Sequence, residues 1–130
     1  MSQQPIEVIL TRQLASYLAT PIFIVDPAGT LVFYNEPAER VLGRNFEETG
    51  EMPAAEWATI FTPSDDAGRP LPADTLPLSI ACSAHTPAHG TFWIRGLDNI
   101  PRRIEVTAFP LIGQADRLLG AVAIFWESCP

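Results

Sequence analysis

Not one of the 130 residues is a lysine. The eight basic side chains are all arginine, set against fifteen acids, for a formal net charge of −7. A chain so poor in positive charge lacks the footprint of a protein that grips a phosphate backbone or an anionic lipid surface, so direct nucleic-acid binding and membrane association are not expected. The exclusive use of arginine points to a GC-rich, bacterial genome. Cysteine is scarce as well: Cys82 and Cys129 are too few and too far apart for a disulfide framework, and reduced thiols fit the cytoplasm. No apolar run approaches the roughly 18 uncharged residues that would cross a bilayer. The start, MSQQPIEV, has neither a basic n-region nor a cleavage site, which again places the chain in the cytoplasm. Also missing are a G-x-S-x-G elbow and a glycine-rich phosphate loop, and the two histidines, His85 and His89, fall in one short stretch. A nucleophile elsewhere would have no base in reach, so a small α+β enzyme is the remote alternative and a non-enzymatic role the expectation. The acids between Glu47 and Asp74 read as a solvated surface.

What is present is concentrated in DPAGTLVFYNEPAERVLG, Asp26 to Gly43. The apolar, β-branched run Pro21 to Val25 before it is strand-like, and Asp26-Pro27-Ala28-Gly29 supplies turn chemistry, so a hairpin follows with Thr30 to Tyr34 as its second arm. Asn35 then stands where a side-chain oxygen caps a helix, Pro37 where a missing N–H does no harm, and Gly43 where a left-handed residue ends the helix after Leu42. Upstream, residues 1–19 form an amphipathic cap helix in which Ile6, Ile9, Leu10, Leu14, Tyr17 and Leu18 recur at helical spacing.

Downstream, a short helical segment is expected over Ala54 to Phe61, with Trp57, Ile60 and Phe61 inward. A proline-rich surface loop, Thr62 to Pro77, leads to a helix over Leu76 to Ala84. Three strands close the chain: Gly90 to Gly96, Arg102 to Leu111 and Leu118 to Glu127. The middle one alternates Arg103, Glu105 and Thr107 with Ile104, Val106 and Ala108, the period of a half-buried strand. Two strands, several short helices and three strands make an α+β domain over residues 20–127. Its expected form is a five-stranded antiparallel sheet with short helices on one face.

From Leu18 to Phe125 the chain resembles the PAS family of sensor domains. The resemblance is carried by Asp26, Gly29, Asn35, Leu42 and Gly43, and by DAGRPLPADTLPLSIACSA (Asp66 to Ala84) with the strands ending AFPL (Ala108 to Leu111) and GAVAIF. It implies a cavity between sheet and helices and a role in signal input or protein interaction. The light-sensing LOV branch needs a reactive cysteine near Gly43-Arg44-Asn45-Phe46-Glu47; none is there, so a covalent flavin adduct is excluded. Haem in the PAS cavity would need an axial histidine, for which His85 is the candidate, but the polar stretch His85 to His89 is broken by Pro87 and reads as solvated loop. Cys82, His85 and His89 have the spacing of a metal half-site without a second half, and no metal is expected. PAS sensors usually run on from the last strand into an output domain, whereas this chain ends its last strand in FWESCP, Phe125 to Pro130, so the signal is expected to pass to a separate protein.

Twelve apolar residues are candidates for the cavity lining: Ile22, Ile24, Trp57, Phe61, Leu76, Ile80, Phe92, Ile94, Ile104, Val106, Val122 and Ile124. An occupant would be an apolar small molecule of the fatty-acid kind; an ordinary filled core has the same composition. The outer sheet face, with Phe33, Trp93, Phe109, Phe125 and Trp126, together with the stripe Ile6 to Leu18, predicts a homodimer through the N-terminal helices.

Overall fold

The run Ile22-Phe23-Ile24-Val25 forms a strand with all four residues buried, β1 (Ile22–Val25), and pairs on both sides. It lies within a five-stranded antiparallel sheet of order β2-β1-β5-β4-β3, where β2 is Leu31–Tyr34, β3 Ala88–Arg95, β4 Pro101–Ile112 and β5 Leu118–Glu127. The computed structural model describes residues 6–43, 45–53, 56–57, 62–95 and 99–128. First and last strands are neighbours inside the sheet, β2 and β3 are its two edges, and the helix over Pro77–Ala84, which the sequence places between them, packs against β3, β4 and β5.

Local chemistry explains the hairpin. The Asp26 Oδ1 accepts from the Ala28 and Thr30 N–H groups at 2.9 and 3.0 Å, and the Gly29 N–H donates to the Asp26 carbonyl at 2.9 Å. Helix α2 (Glu36–Leu42) opens on Asn35, whose side chain accepts from the Ala38 N–H, and closes on Gly43 at φ 86°, whose N–H returns to the Glu39 carbonyl. The short α3 (Phe46–Thr49) follows. After a single 3-10 turn at Ala73–Thr75, α4 (Pro77–Ala84) runs to His85, which ends it in the left-handed region at φ 56°. Of the helix expected over Ala54 to Phe61, Glu56 and Trp57 are helical and the rest lies outside the described residues.

Two apolar clusters sandwich the sheet. On the inner face Phe23, Val25, Tyr34, Ile104, Val106, Ala123 and Phe125 meet α2 and α4 through Leu42, Leu78 and Ala81. On the outer face α1 (Ile6–Ala15) lays Val8 and Ala15 against Ile22, Ile24, Val32, Leu119 and Val122. β4 has the expected alternation, with Ile104, Val106 and Ala108 buried between less buried Arg103, Glu105 and Thr107. Phe125 departs from the outer-face expectation. It pairs with Val106 and points inward, while Phe33 and Phe109 pack on the outer cluster.

Candidate functional site

The inner face bounds a half-open cavity of about 70 Å³ whose lining, among the described residues, is wholly apolar. β1 and β5 supply Phe23, Ala123 and Phe125 to it, β3 and β4 supply Phe92, Ile94, Ile104 and Val106, and the helical layer supplies Leu42, Trp57, Leu76 and Leu78. Phe23 sits centrally, with ring centroids 5.8 Å from Tyr34, 5.9 Å from Trp57 and 6.3 Å from Phe125. The Trp57 indole N–H donates to the Gly29 carbonyl at 2.9 Å, tying the helical layer to the β1–β2 turn.

Of the twelve candidate lining residues the structure gathers Trp57, Leu76, Phe92, Ile94, Ile104 and Val106 around the cavity. Ile22, Ile24, Val122 and Ile124 are on the opposite face, in the cluster under α1. Their alternates Phe23, Ala123 and Phe125 point inward instead. The cause is that β1 and β5 are buried on both faces, so neither shows the polar alternation that would reveal which residues turn inward. Ile80 is half-buried in α4 without lining the cavity, and Phe61 lies outside the described residues. Sequence reasoning missed Phe23, Leu42, Pro63, Pro77, Leu78, Ala123 and Phe125. The signal that phases β5 is its register with β4, Val106 opposite Phe125 and Ala108 opposite Ala123, which no single strand contains.

A second pocket of about 260 Å³ lies outside the first, between the β1–β2 turn and α4, lined by Val25, Pro27, Ala28, Gly29, Trp57, Leu78, Ser79, Cys82 and Ser83. Burial, with a smaller contribution from the Asp26 carboxylate, pushes the Cys82 thiol up from its ordinary range. At neutral pH it is therefore a protonated, poorly nucleophilic thiol. Alkylation of Cys82 by iodoacetamide at pH 7.5, followed by peptide mass spectrometry, should run slower than alkylation of a free cysteine peptide; equal rates would contradict this protection. His85, exposed at the α4 terminus, is not among the cavity's lining residues, and His89 is on the sheet's outer side with its Nδ1 3.0 Å from the Thr107 hydroxyl. Among the described residues no three metal-ligating side chains converge, and no helix is long and apolar enough to cross a membrane.

The whole arrangement recurs in solved proteins. The PAS domain of a protein from Colwellia psychrerythraea is similar at a TM-score of 0.65 and 17% identity, over 94% of this chain and 97% of that one. A Rhodobacter sphaeroides LOV protein is similar at 0.73 and 13% identity, over 95% of this chain and 68% of that one. The PAS domain of Bordetella pertussis BvgS is similar at 0.61 and 13% identity, over 95% of this chain and 87% of that one. The chain has the PAS fold.

No family model and no curated protein sequence matches it, so the likeness is one of structure. Within the PAS fold the cavity does not fit the groups the resemblance brought forward. Among the described residues its apolar lining offers a flavin no hydrogen-bond partner and haem no axial ligand, and its volume is well below the roughly 300–1,000 Å³ of small-molecule sites. The other site candidate in this PAS fold is α1. Val8 and Ala15 face the sheet, whereas Ile6, Ile9, Leu10, Leu14, Tyr17 and Leu18 are exposed, Tyr17 to 88%.

Proposed function

We propose that this chain is a non-enzymatic PAS signalling module that dimerises through α1 and passes its conformational state to a protein partner. The observation that carries the reading is the exposed stripe of α1. An amphipathic helix on a sheet ordinarily turns its widest apolar face to the core. The helix expected over residues 1–19 ends at Ala15; the sheet takes its narrow face of Val8 and Ala15, and the larger side chains of α1, the row Ile6, Leu10 and Leu14 at i,i+4 spacing with Ile9 beside it, are left to water, as are Tyr17 and Leu18 just beyond the helix. Burying one such side chain fully is worth about 1.5–3 kcal/mol, enough in sum to drive association of two helices. Because α1 rests on β1 and β5, which also wall the cavity, a change in core packing has a short route to that interface.

Sedimentation of the intact chain at tens of micromolar should show a dimer. The Leu10→Glu/Leu14→Glu variant should sediment as a monomer with an unchanged circular dichroism spectrum, both positions being exposed in the single chain. A wild-type chain that stays monomeric at high micromolar concentration would overturn the dimer.

A further inference from the structure

Among the described residues two line both the inner cavity and the outer pocket, Trp57 and Leu78. The two spaces differ in chemistry. The inner one is wholly apolar, while the outer one carries the hydroxyls of Ser79 and Ser83 and the thiol of Cys82. On its outer side the Trp57 indole is held by the single hydrogen bond to the Gly29 carbonyl, in the turn that itself rims the outer pocket.

We propose that Trp57 and Leu78 form a movable partition, and that with the indole swung aside the two spaces become one site for a neutral amphiphile. Such a ligand has an apolar chain, which lies against Phe92, Ile94, Ile104 and Phe125, and an uncharged hydroxyl or amide end, which lies among Ser79, Cys82 and Ser83. Volume supports the merger. At about 70 and 260 Å³ each space alone falls short of a usual small-molecule site, and joined they enter the lower part of the roughly 300–1,000 Å³ range.

The charge of the polar end follows from what surrounds it. No arginine or histidine lines the outer pocket among the described residues, and the Asp26 carboxylate is near enough to act on the Cys82 thiol. A carboxylate head would lose its water without gaining a cation and would face Asp26 as well, so the anionic end of a fatty acid is disfavoured. A hydroxyl meets suitable partners. Ser83 donates to the Ser79 carbonyl at 2.9 Å and keeps its oxygen free to accept, and the Ser79 hydroxyl bonds to no other described residue. The site depends on neither the dimer nor the protein partner proposed above, and a monomeric chain would have it too.

The test uses the full chain carrying Trp93→Phe and Trp126→Phe, which leaves Trp57 as its one tryptophan. Titration with 1-octanol should shift the Trp57 emission saturably, at least tenfold more tightly than titration with octanoate. Filling the inner space with Ala123→Leu and the outer with Cys82→Leu should each weaken octanol binding at least tenfold. Val106→Ile replaces the first if it fails to fold by circular dichroism, and Ser79→Leu the second. Octanoate binding as tightly as octanol overturns the neutral head. Loss of binding in only one of the two filled variants overturns the merged site, and an emission that octanol leaves unchanged overturns the proposal as a whole.

Discussion

Replacing Asn35 by alanine is expected to lower the unfolding free energy by about 3–4 kcal/mol and the melting temperature by roughly 10–20 °C. Among the described residues Asn35 is the buried polar side chain, 1% exposed, and it joins three elements. Its Oδ1 accepts from the Ile22 N–H at 3.0 Å and the Ala38 N–H at 3.2 Å; its Nδ2 donates to the Ala15 and Thr20 carbonyls at 2.9 Å each. One amide thus caps α2, starts β1 and holds the end of α1. Losing an N-cap alone is worth about 1 kcal/mol. The remainder of the expected loss comes chiefly from the buried Ile22 N–H, left without an acceptor, while the Ala15 carbonyl keeps the Leu18 N–H at 3.2 Å but loses the amide that ties the end of α1 to α2. Asn35→Asp separates the two parts, because it keeps the cap acceptor and removes both donors, setting a carboxylate against two carbonyl oxygens. At neutral pH it should be destabilised in spite of the intact cap, and should recover in part on acidification, when the protonated acid can donate again. Chemical denaturation of both variants checks this. A loss within about 1 kcal/mol for Asn35→Ala would mean that the residue is a helix cap and nothing more.

The contrast between Asn35 and the cavity shows which physics a sequence displays. Turns and caps are local. Asp26, Asn35 and Gly43 act on backbone groups two to four residues away in the hairpin and α2, and those roles were legible from residue type and order alone. Strand β4 was legible as well, because one of its faces is polar enough to leave the alternation of Arg103 and Glu105 with Ile104 and Val106. β1 and β5 carry no such mark. Covered by α1 on one side and by the helical layer on the other, Ile22 and Phe23 are equally apolar and equally buried, and only the pairing of β5 with β4 decides which turns to the cavity. α1 shows the converse limit. Its apolar stripe was plain in the spacing, but the face set on the sheet is that of Val8 and Ala15, because small side chains let a helix approach a sheet closely. The three further bonds that Asn35 makes, to Ile22, Ala15 and Thr20, were invisible for the same reason: they join segments 13 to 20 residues apart.

Gly120→Ala should be at least as damaging as Asn35→Ala, with an expected loss of about 3–5 kcal/mol from backbone strain and overpacking combined. Nothing in the sequence around Leu118 to Glu127 singles this glycine out. In the fold it directly precedes the stretch of β5 that pairs with β1, at φ 150°, and a Cβ there would stand 2.4 Å from the Val25 carbonyl oxygen and 3.6 Å from the Asp26 Cα. Both neighbours are backbone, and Val25 is fixed between β2 and β5, so neither can yield as a flexible side chain would. Gly68→Ala provides the control. It also has positive φ, at 80°, yet an added Cβ meets nothing within 4 Å, so it should lose only about 1–2 kcal/mol for the left-handed conformation. The difference between the two variants in thermal and chemical denaturation isolates the clash at Val25 from the intrinsic preference of glycine; equal losses would show that β5 can withdraw from β1. The clash also has a spatial consequence. Asp26 begins the turn whose Gly29 carbonyl holds the Trp57 indole, so whatever folded Gly120→Ala remains should have that hydrogen bond displaced and its Trp57 emission altered, while Gly68→Ala leaves the emission unchanged.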